Sequence, residues 1–252
     1  MAVVFGDRHA PTNDLRYDSI LLQIIADYTE SIRYICDLGD GLNMDSISDY
    51  TKSLEQISGL QKELENDYAF RTQINERSPD SIKILLTSNH ISSRLAKAKA
   101  RELWLSDLKV MEEANLLKLA ELGWELKEEW IWGKKKILFI HGDGNSAGSQ
   151  KNVINEARNL VKENNISIVR GHSHTQGWEI SRKLGEYFQA IQIGTGYNLR
   201  KAPSYVKTGH LLSNWVNGFG VFYLRRDGKQ FFYVPIVIED GACIFNNKLY
   251  VG

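Results

Sequence analysis

Five of the six histidines in this 252-residue chain follow short apolar runs, in company with carboxylates and one amide. Asp7 and His9 come after Val3-Val4-Phe5, Asp40 after Tyr34-Ile35-Cys36, and Asn89 with His90 after the run 82–86. His141 follows the run 136–140, His172 and His174 follow 166–169, and only His210 stands outside the pattern. Imidazoles, carboxylates and an amide oxygen suit Mn, Fe, Zn or Ni better than a thiolate or all-oxygen site does. Singly these residues say little. Asp-x-His is more often a surface turn than a ligand pair, and Gly-Asp after a strand is common turn chemistry. Repetition of one pattern at five strand ends outweighs those readings, because ligands in α/β sheets gather beyond the carboxyl ends of strands. A catalytic zinc needs about three protein ligands, so the inventory is too large for one ion. Asp40 could bridge two, with histidines on either side. Two ions about 3.5–4 Å apart can activate a water and clamp the oxygens of a phosphoryl group.

The elements that must position these residues alternate in type through the first two-thirds of the chain. Apolar positions predict a helix over 18–33 and another over 51–77, with charges between them. The stretch 92–122 is rich in Ala, Leu, Lys and Glu and reads as two or three helical pieces, and 149–163 as one more. From residue 189 onward strands dominate, at 190–193, 219–224, 231–238 and 242–251. An α/β layered domain over 1–252 is expected, with a helical insertion or cap at about 92–132 and a β-rich second sheet at about 188–252.

Composition excludes several classes. Hydrophobic residues make up 42% and charged residues 25%, which argues against disorder, collagen-like repeats and rods. Thirty-one basic residues balance 31 acidic ones, yet residues 1–80 carry 15 acids and 7 bases, and 81–252 carry 16 acids and 24 bases. A basic back half can attract an anionic substrate. Cys36 and Cys243 form no CxxC pair, so a reducing compartment is expected. The N-terminus shows no secretory signal, and no apolar run of about 18 residues suggests a membrane span. A cytoplasmic protein with no membrane partner is the expectation.

Together the motifs resemble the calcineurin-like metallophosphoesterases, whose pattern runs D-x-H, G-D, G-N-H-[DE], H and G-H-x-H. Here it reads Gly6-Asp7-Arg8-His9, Gly39-Asp40, Ser88-Asn89-His90-Ile91, His141-Gly142 and Gly171-His172-Ser173-His174, in order. The run GDGLNMDSIS, Arg94, and Asn214-Trp215 before Gly218-Phe219 look like the phosphoesterases of bacteriophage and prophage genomes. That narrower likeness extends the expected location to the cytoplasm of a phage-infected bacterium. The resemblance implies a two-layer β-sandwich flanked by helices and two divalent ions, Mn²⁺ expected, with Fe, Zn or Ni as alternatives. By it, Asp7, His9 and His174 would hold one ion, Asn89, His141 and His172 the other, and Asp40 would bridge. His90 would stabilise charge at the scissile phosphate or protonate the leaving group, Arg94 would contact phosphate, and a hydroxide activated by the ions would attack. Two residues depart from the pattern. Ser88 replaces a glycine at a tight turn, and Ile91 replaces the acid.

Other features are weaker. The run Gly142 to Ala147 fits G-x-G-x-x-A, but Asp143 would repel a pyrophosphate and the expected acid after the next strand is missing. Lys134-Lys135-Lys136 reads as a solvated turn, and Trp104, Trp124, Trp130 and Trp132 as packing or capping groups. Three functions follow: a two-metal phosphodiesterase or nuclease, favoured by the basic back half; a phosphomonoesterase on a nucleotide, protein or small phosphate; or a non-catalytic metal-binding interaction module. The expected partner is a phosphate ester, nucleic acid or nucleotide. Oligomeric state is not legible.

Overall fold

The central strands β1 (Ala2–Phe5), β2 (Tyr34–Asp37) and β3 (Ile82–Leu86) are apolar on both faces because each is covered on both. The structure, a computed structural model, describes residues 1–48, 59–134, 137–142, 159, 161, 165–183, 185–201 and 214–252. In chain order the strands are β1 (Ala2–Phe5), β2 (Tyr34–Asp37), β3 (Ile82–Leu86), β4 (Trp124–Lys127), β5 (Trp130–Trp132), β6 (Ile137–Ile140) and β7 (Ser167–Arg170). They continue with β8 (Gln176–Lys183), β9 (Glu186–Ile193), β10 (Gly218–Leu224), β11 (Phe231–Val237), β12 (Ala242–Phe245) and β13 (Lys248–Val251). One sheet runs β11-β10-β1-β2-β3-β4 and the other β5-β6-β7-β9-β8, while β12 and β13 pair as a hairpin. Strands β1 to β4 are mutually parallel, as are β6, β7 and β9.

Alternation along the strands divides the core. Val3, Phe5, Ile35 and Leu85 face two helices, α1 (Leu15–Asp27) and α2 (Leu60–Arg77). Ala2, Val4, Cys36, Ile84, Leu86 and, from β10, Phe222 face the second sheet, against Phe139, Val169 and Ile191. Such period-two partition is what a strand with two buried faces requires. The fold is α/β with two sheets face to face and helices on the outside, as expected. No helix among the described residues is long and apolar enough to cross a membrane.

Helix boundaries differ from expectation for local reasons. Asp14 caps α1, its carboxylate accepting the Arg16 N–H at 3.0 Å. The helix stops at Asp27 instead of 33 because Arg33 is claimed by the sheet: its N–H bonds Met1 O, and its carbonyl accepts the Ile82 N–H. The start of the expected 51–77 helix, most of the 149–163 helix, residues 135–136, most of the glycine-rich run after Gly142, and His210 lie outside the described residues.

Two expectations about layout are corrected. The insertion at 92–132 is helical only in part: α3 (Arg94–Arg101), α4 (Glu113–Leu116) and α5 (Leu119–Leu122), with tighter turns between. Gly123, at φ 68°, ends α5, and the following Trp-rich segments become edge strands of the two sheets. The segment 188–252 does not form the second sheet either. Of its strands only β9 belongs there, while β10 and β11 extend the first sheet beside β1, with Val3 opposite Val221. Both faces of β10 are apolar, Val221 toward α1 and Phe222 toward the second sheet, which suits a central strand. The second sheet instead gains β8, whose mixture of Gln, Glu, Ser, Arg and Lys marks a solvated edge and hides it from hydrophobic pattern. Of the tryptophans, Trp124 and Trp130 pack in the cores, Trp132 stacks on Trp130, and Trp104 is exposed.

Candidate metal centre

Every chemistry-bearing strand end converges on one cleft beyond the carboxyl ends of β1, β2, β3, β6 and β7. Three groups of side chains place ligand atoms within 4.8 Å of one another: Asp7, His9 and His174; His9, Asp40 and His90; Asp40, His141 and His172. Asn89 completes the third, its Oδ1 2.9 Å from His141 Nε2 and 3.1 Å from His172 Nδ1. Asp40 Oδ2 is 3.2 Å from His141 Nε2, 3.9 Å from His90 Nε2 and 4.0 Å from His9 Nε2, so one carboxylate faces both halves of the cleft. All seven expected ligands and His90 therefore meet. Arg94 joins them through His90, its Nη2 3.3 Å from His90 Nε2.

The loops that carry these groups are bent in an unusual way. Asp7, His9, Asp40, His172 and His174 all have φ between 52° and 65°, a left-handed region that side chains other than glycine seldom enter. Such residues cost of order 1–3 kcal/mol each and persist where surrounding contacts over-determine them. Here the loops hold one another. The N–H groups of Asp7 and His9 donate to the carbonyls of Gly39 and Asp40, and His172 N–H donates to Asp7 Oδ2 at 2.8 Å. A side chain at Gly171 would place its Cβ 2.4 Å from that Oδ2, so only glycine permits the approach.

The donor set fits a cation. Asp7 Oδ1 is buried without a hydrogen-bond partner among the described residues, yet lies 3.4 Å from His174 Nε2 and 3.8 Å from His9 Nε2. His141 Nδ1 faces the Leu38 carbonyl at 2.9 Å, which requires an N–H there, so Nε2 is the nitrogen turned toward Asn89 Oδ1 and Asp40 Oδ2. His9 Nδ1 likewise faces Asn43 Oδ1 at 3.1 Å, turning its Nε2 toward His174 Nε2 at 2.9 Å. Lone pairs and carboxylate oxygens aimed at shared points are what a cation relieves.

Electrostatics agree. Burial alone would raise the carboxyls of Asp7 and Asp40, but the approach of His174 and His9 to the first, and of His141 and His90 to the second, holds both well below the ordinary range. Burial pulls His172 and His174 below the usual imidazole value and takes His90 to about 3. His90 is thus neutral, accepting from Arg94 at Nε2 while Nδ1 lies 3.3 Å from the Asn43 carbonyl.

The structure accommodates both motif departures locally. Ser88 is extended, φ −148° and ψ 163°, so its turn needs no glycine, and its Oγ accepts the Asp40 N–H at 3.0 Å. Its own N–H donates to Ser92 Oγ, which donates to Glu113 at 2.7 Å. Ile91 is fully buried in the helix-side core, where an acid would lie desolvated. Ser88→Gly, although it restores the more usual residue, is expected to cost about 1–3 kcal/mol by orphaning the buried Asp40 amide. Urea denaturation measures it, and an unchanged midpoint would show the bond to be idle.

Several residues around the centre lie outside the ligand motifs, although Asn43 and Trp215 fall in the runs that carry the narrower resemblance. Asn43 orients His9 and His90; Tyr197 and Trp215 pack on His174, Trp215 with ring centroids 4.1 Å apart. Beneath the loops runs a buried ion chain. Arg8 grips Asp18 with two bonds of 2.8 Å and lies 3.7 Å from Asp67, while Arg71 bonds Asp67 at 2.7 Å and Asp37 at 2.8 Å. Asp37 in turn accepts the Gly39 N–H at 2.9 Å. The chain therefore ties the Asp7–His9 loop to the Gly39–Asp40 loop from below.

No protein-family model matches the chain, and no curated protein does. Among solved structures it is similar to TT1561 of Thermus thermophilus, at 10% identity and a TM-score of 0.41, over 92% of this chain and 97% of that one. The side chains described above, not that likeness, define the centre: an α/β protein with buried Asp and His clusters able to hold metal.

Proposed function

We propose that this chain is a phosphodiester hydrolase that works with two divalent cations, Mn²⁺ foremost. The observation that carries the proposal is the shared position of Asp40, with Asp7, His9 and His174 on one side and Asn89, His141 and His172 on the other. The calcineurin-like motif order supports the same assignment. When bound, such a pair supplies electrophilic charge to phosphoryl oxygens and lowers the pKa of water.

The chain's own residues do the rest. Asp7 and Asp40 enter as carboxylates, and Leu38 and Asn43 fix which nitrogens of His141 and His9 face the cleft. Arg94 is held by the Asn43 carbonyl, by Asp45 at 3.0 Å and by His90, an arrangement that leaves two of its five N–H donors for substrate oxygens. The neighbouring Asp45 offsets part of its charge, which favours a singly charged diester over a dianionic monoester. His90, neutral and bonded to Arg94, acts by orienting that guanidinium and accepting a hydrogen bond. In this reading nucleotides or nucleic acids are the substrates.

The test uses metal-stripped protein, with and without Mn²⁺, on bis-p-nitrophenyl phosphate and p-nitrophenyl phosphate, and a His90→Ala control. Mn²⁺-dependent cleavage, faster for the diester and reduced in the control, is the expected outcome. A monoester preference would overturn the diester assignment. Equal rates without added metal would overturn the metal centre.

A further inference from the structure

The inter-sheet core runs out before the sheets do. At the edge made by β8 and β11 an open cavity of about 920 Å³ separates the two layers. In the β8–β9 pair Trp178 sits opposite Ile191, Ile180 opposite Gln189, and Arg182 opposite Tyr187, so these side chains share the face on which Ile191 enters the core. Beyond Ile191 that face is open, with Trp178 49% and Tyr187 64% exposed. The opposite wall is β11, where Phe231 and Tyr233 are buried, and Trp178 meets Tyr233 edge-on at 6.1 Å. Facing sheets stand about 10 Å apart. A slot of that width, walled by rings, admits a flat ring.

Its rim is basic. Lys134 and Lys229 line the cavity from two abutting turns: a Cβ placed on Gly228 would lie 3.2 Å from Lys134 Cγ. The Arg182 guanidinium lies 5.7 Å from the Tyr187 ring centroid. Among the described lining residues Glu186 is the only carboxylate, and the nearby Asp227 is paired with Arg225 at 3.3 Å. Two copies of this rim would bring like charges together, which disfavours a second copy of the chain as occupant. Rings for stacking with ammonium groups beside them are the features by which single strands are held without regard to sequence.

We infer that this slot is a binding site for single-stranded nucleic acid, with bases stacked on Trp178 and Tyr187 and phosphates at Lys134 and Lys229. Trp178 is four residues past His174, at most about 14 Å of extended chain, so the Trp178 end of the slot lies toward the metal centre, while Lys134, before β6, and Lys229, in the β10–β11 turn, lie at the far ends of the strands. That the strand is also substrate rests on the phosphodiesterase reading; the binding does not.

The test is fluorescence anisotropy of a short labelled oligothymidylate with full-length His141→Ala protein, which is expected to bind strand without cutting it. In that background Trp178→Ala is expected to weaken binding about tenfold. Lys229→Gln is expected to flatten the log affinity against log salt slope by about 0.7. Because Trp178 is half-exposed, its loss should leave the fold intact, and in otherwise native protein hydrolysis of bis-p-nitrophenyl phosphate should not change. Binding indifferent to both substitutions would overturn the site. So would thymidine monophosphate binding as tightly as the strand, which would make it a mononucleotide pocket. No strand binding, with a dimer that Trp178→Ala dissociates in sedimentation, would assign the edge to self-association. Strand binding without any diester hydrolysis by native protein would overturn the proposed function and leave the slot standing.

Discussion

Asp40→Asn is expected to lower Mn²⁺-dependent diester turnover by about 10³-fold or more, roughly 4 kcal/mol of barrier, without unfolding the protein. Asp40 belongs to two of the three clusters, and its Oδ2 lies within 4.0 Å of His141, His90 and His9. The substitution keeps size and shape, and the amide oxygen can still accept the His90 N–H that Oδ1 takes at 3.0 Å. What it removes is a buried negative charge common to both halves of the cleft. In metal-free protein the neighbouring imidazoles hold the Asp40 carboxyl well below its ordinary range, so its charge favours the fold, and the new amide N–H, within reach of His141 Nε2, replaces that contribution only in part. Thermal stability without metal should therefore fall modestly near neutral pH, and stabilisation by Mn²⁺ should fall as well. Retained turnover, or a variant that unfolds with or without metal, would make Asp40 a structural acid instead. His141→Ala should share the loss of turnover and lose more metal-free stability, because it also opens a cavity.

The centre was legible because parallel sheets deliver side chains at strand ends, and each strand here is a short apolar run with its ligand just beyond. Runs such as 82–86 are found in the structure at those bounds. What the pattern could not show was sheet order. β10 and β11 follow β9 in sequence, yet they close the first sheet, because Phe219 and Val221 on one face and Phe222 on the other fit beside β1. The cost assigned to Ser88 also could not be judged from the chain alone: whether a turn needs glycine depends on φ, and at Ser88 φ is extended. Hydrogen bonds to Asn43 Oδ1 and to the Leu38 carbonyl join residues distant in sequence, and neither leaves a periodic trace. The same holds for Arg8, which sits between two motif positions and reads as an ordinary variable residue.

Arg8→Met is expected to cost about 3–5 kcal/mol of stability, the penalty for breaking a buried ion pair from one side. Arg8 is 1% exposed, its guanidinium carbon lies 3.4 Å from the Phe70 ring centroid, and Asp18 takes two of its donors. Without it Asp18 keeps only the amide of Asn13, at 2.5 Å, and Asp67 must share Arg71 with Asp37. Three buried carboxylates would then face one guanidinium. Burial already pushes the Asp37 carboxyl above its ordinary value, which shows how little spare positive charge the chain contains. Arg8→Lys should fall between, since an ammonium keeps the charge but cannot make the paired contact with Asp18. Pairing Arg8→Met with Asp18→Asn should recover part of the loss, because the second change removes the charge that the first one strands. Urea denaturation of the four proteins, all metal-free, reads the series. A loss below about 1 kcal/mol for Arg8→Met would mean that packing on Phe70, not charge, holds the Asp7–His9 loop. If the ordering stands, the two ligand-bearing loops owe their left-handed geometry to ion pairs buried beneath the cleft, and the strain at Asp7, His9 and Asp40 is sustained from α1 and α2.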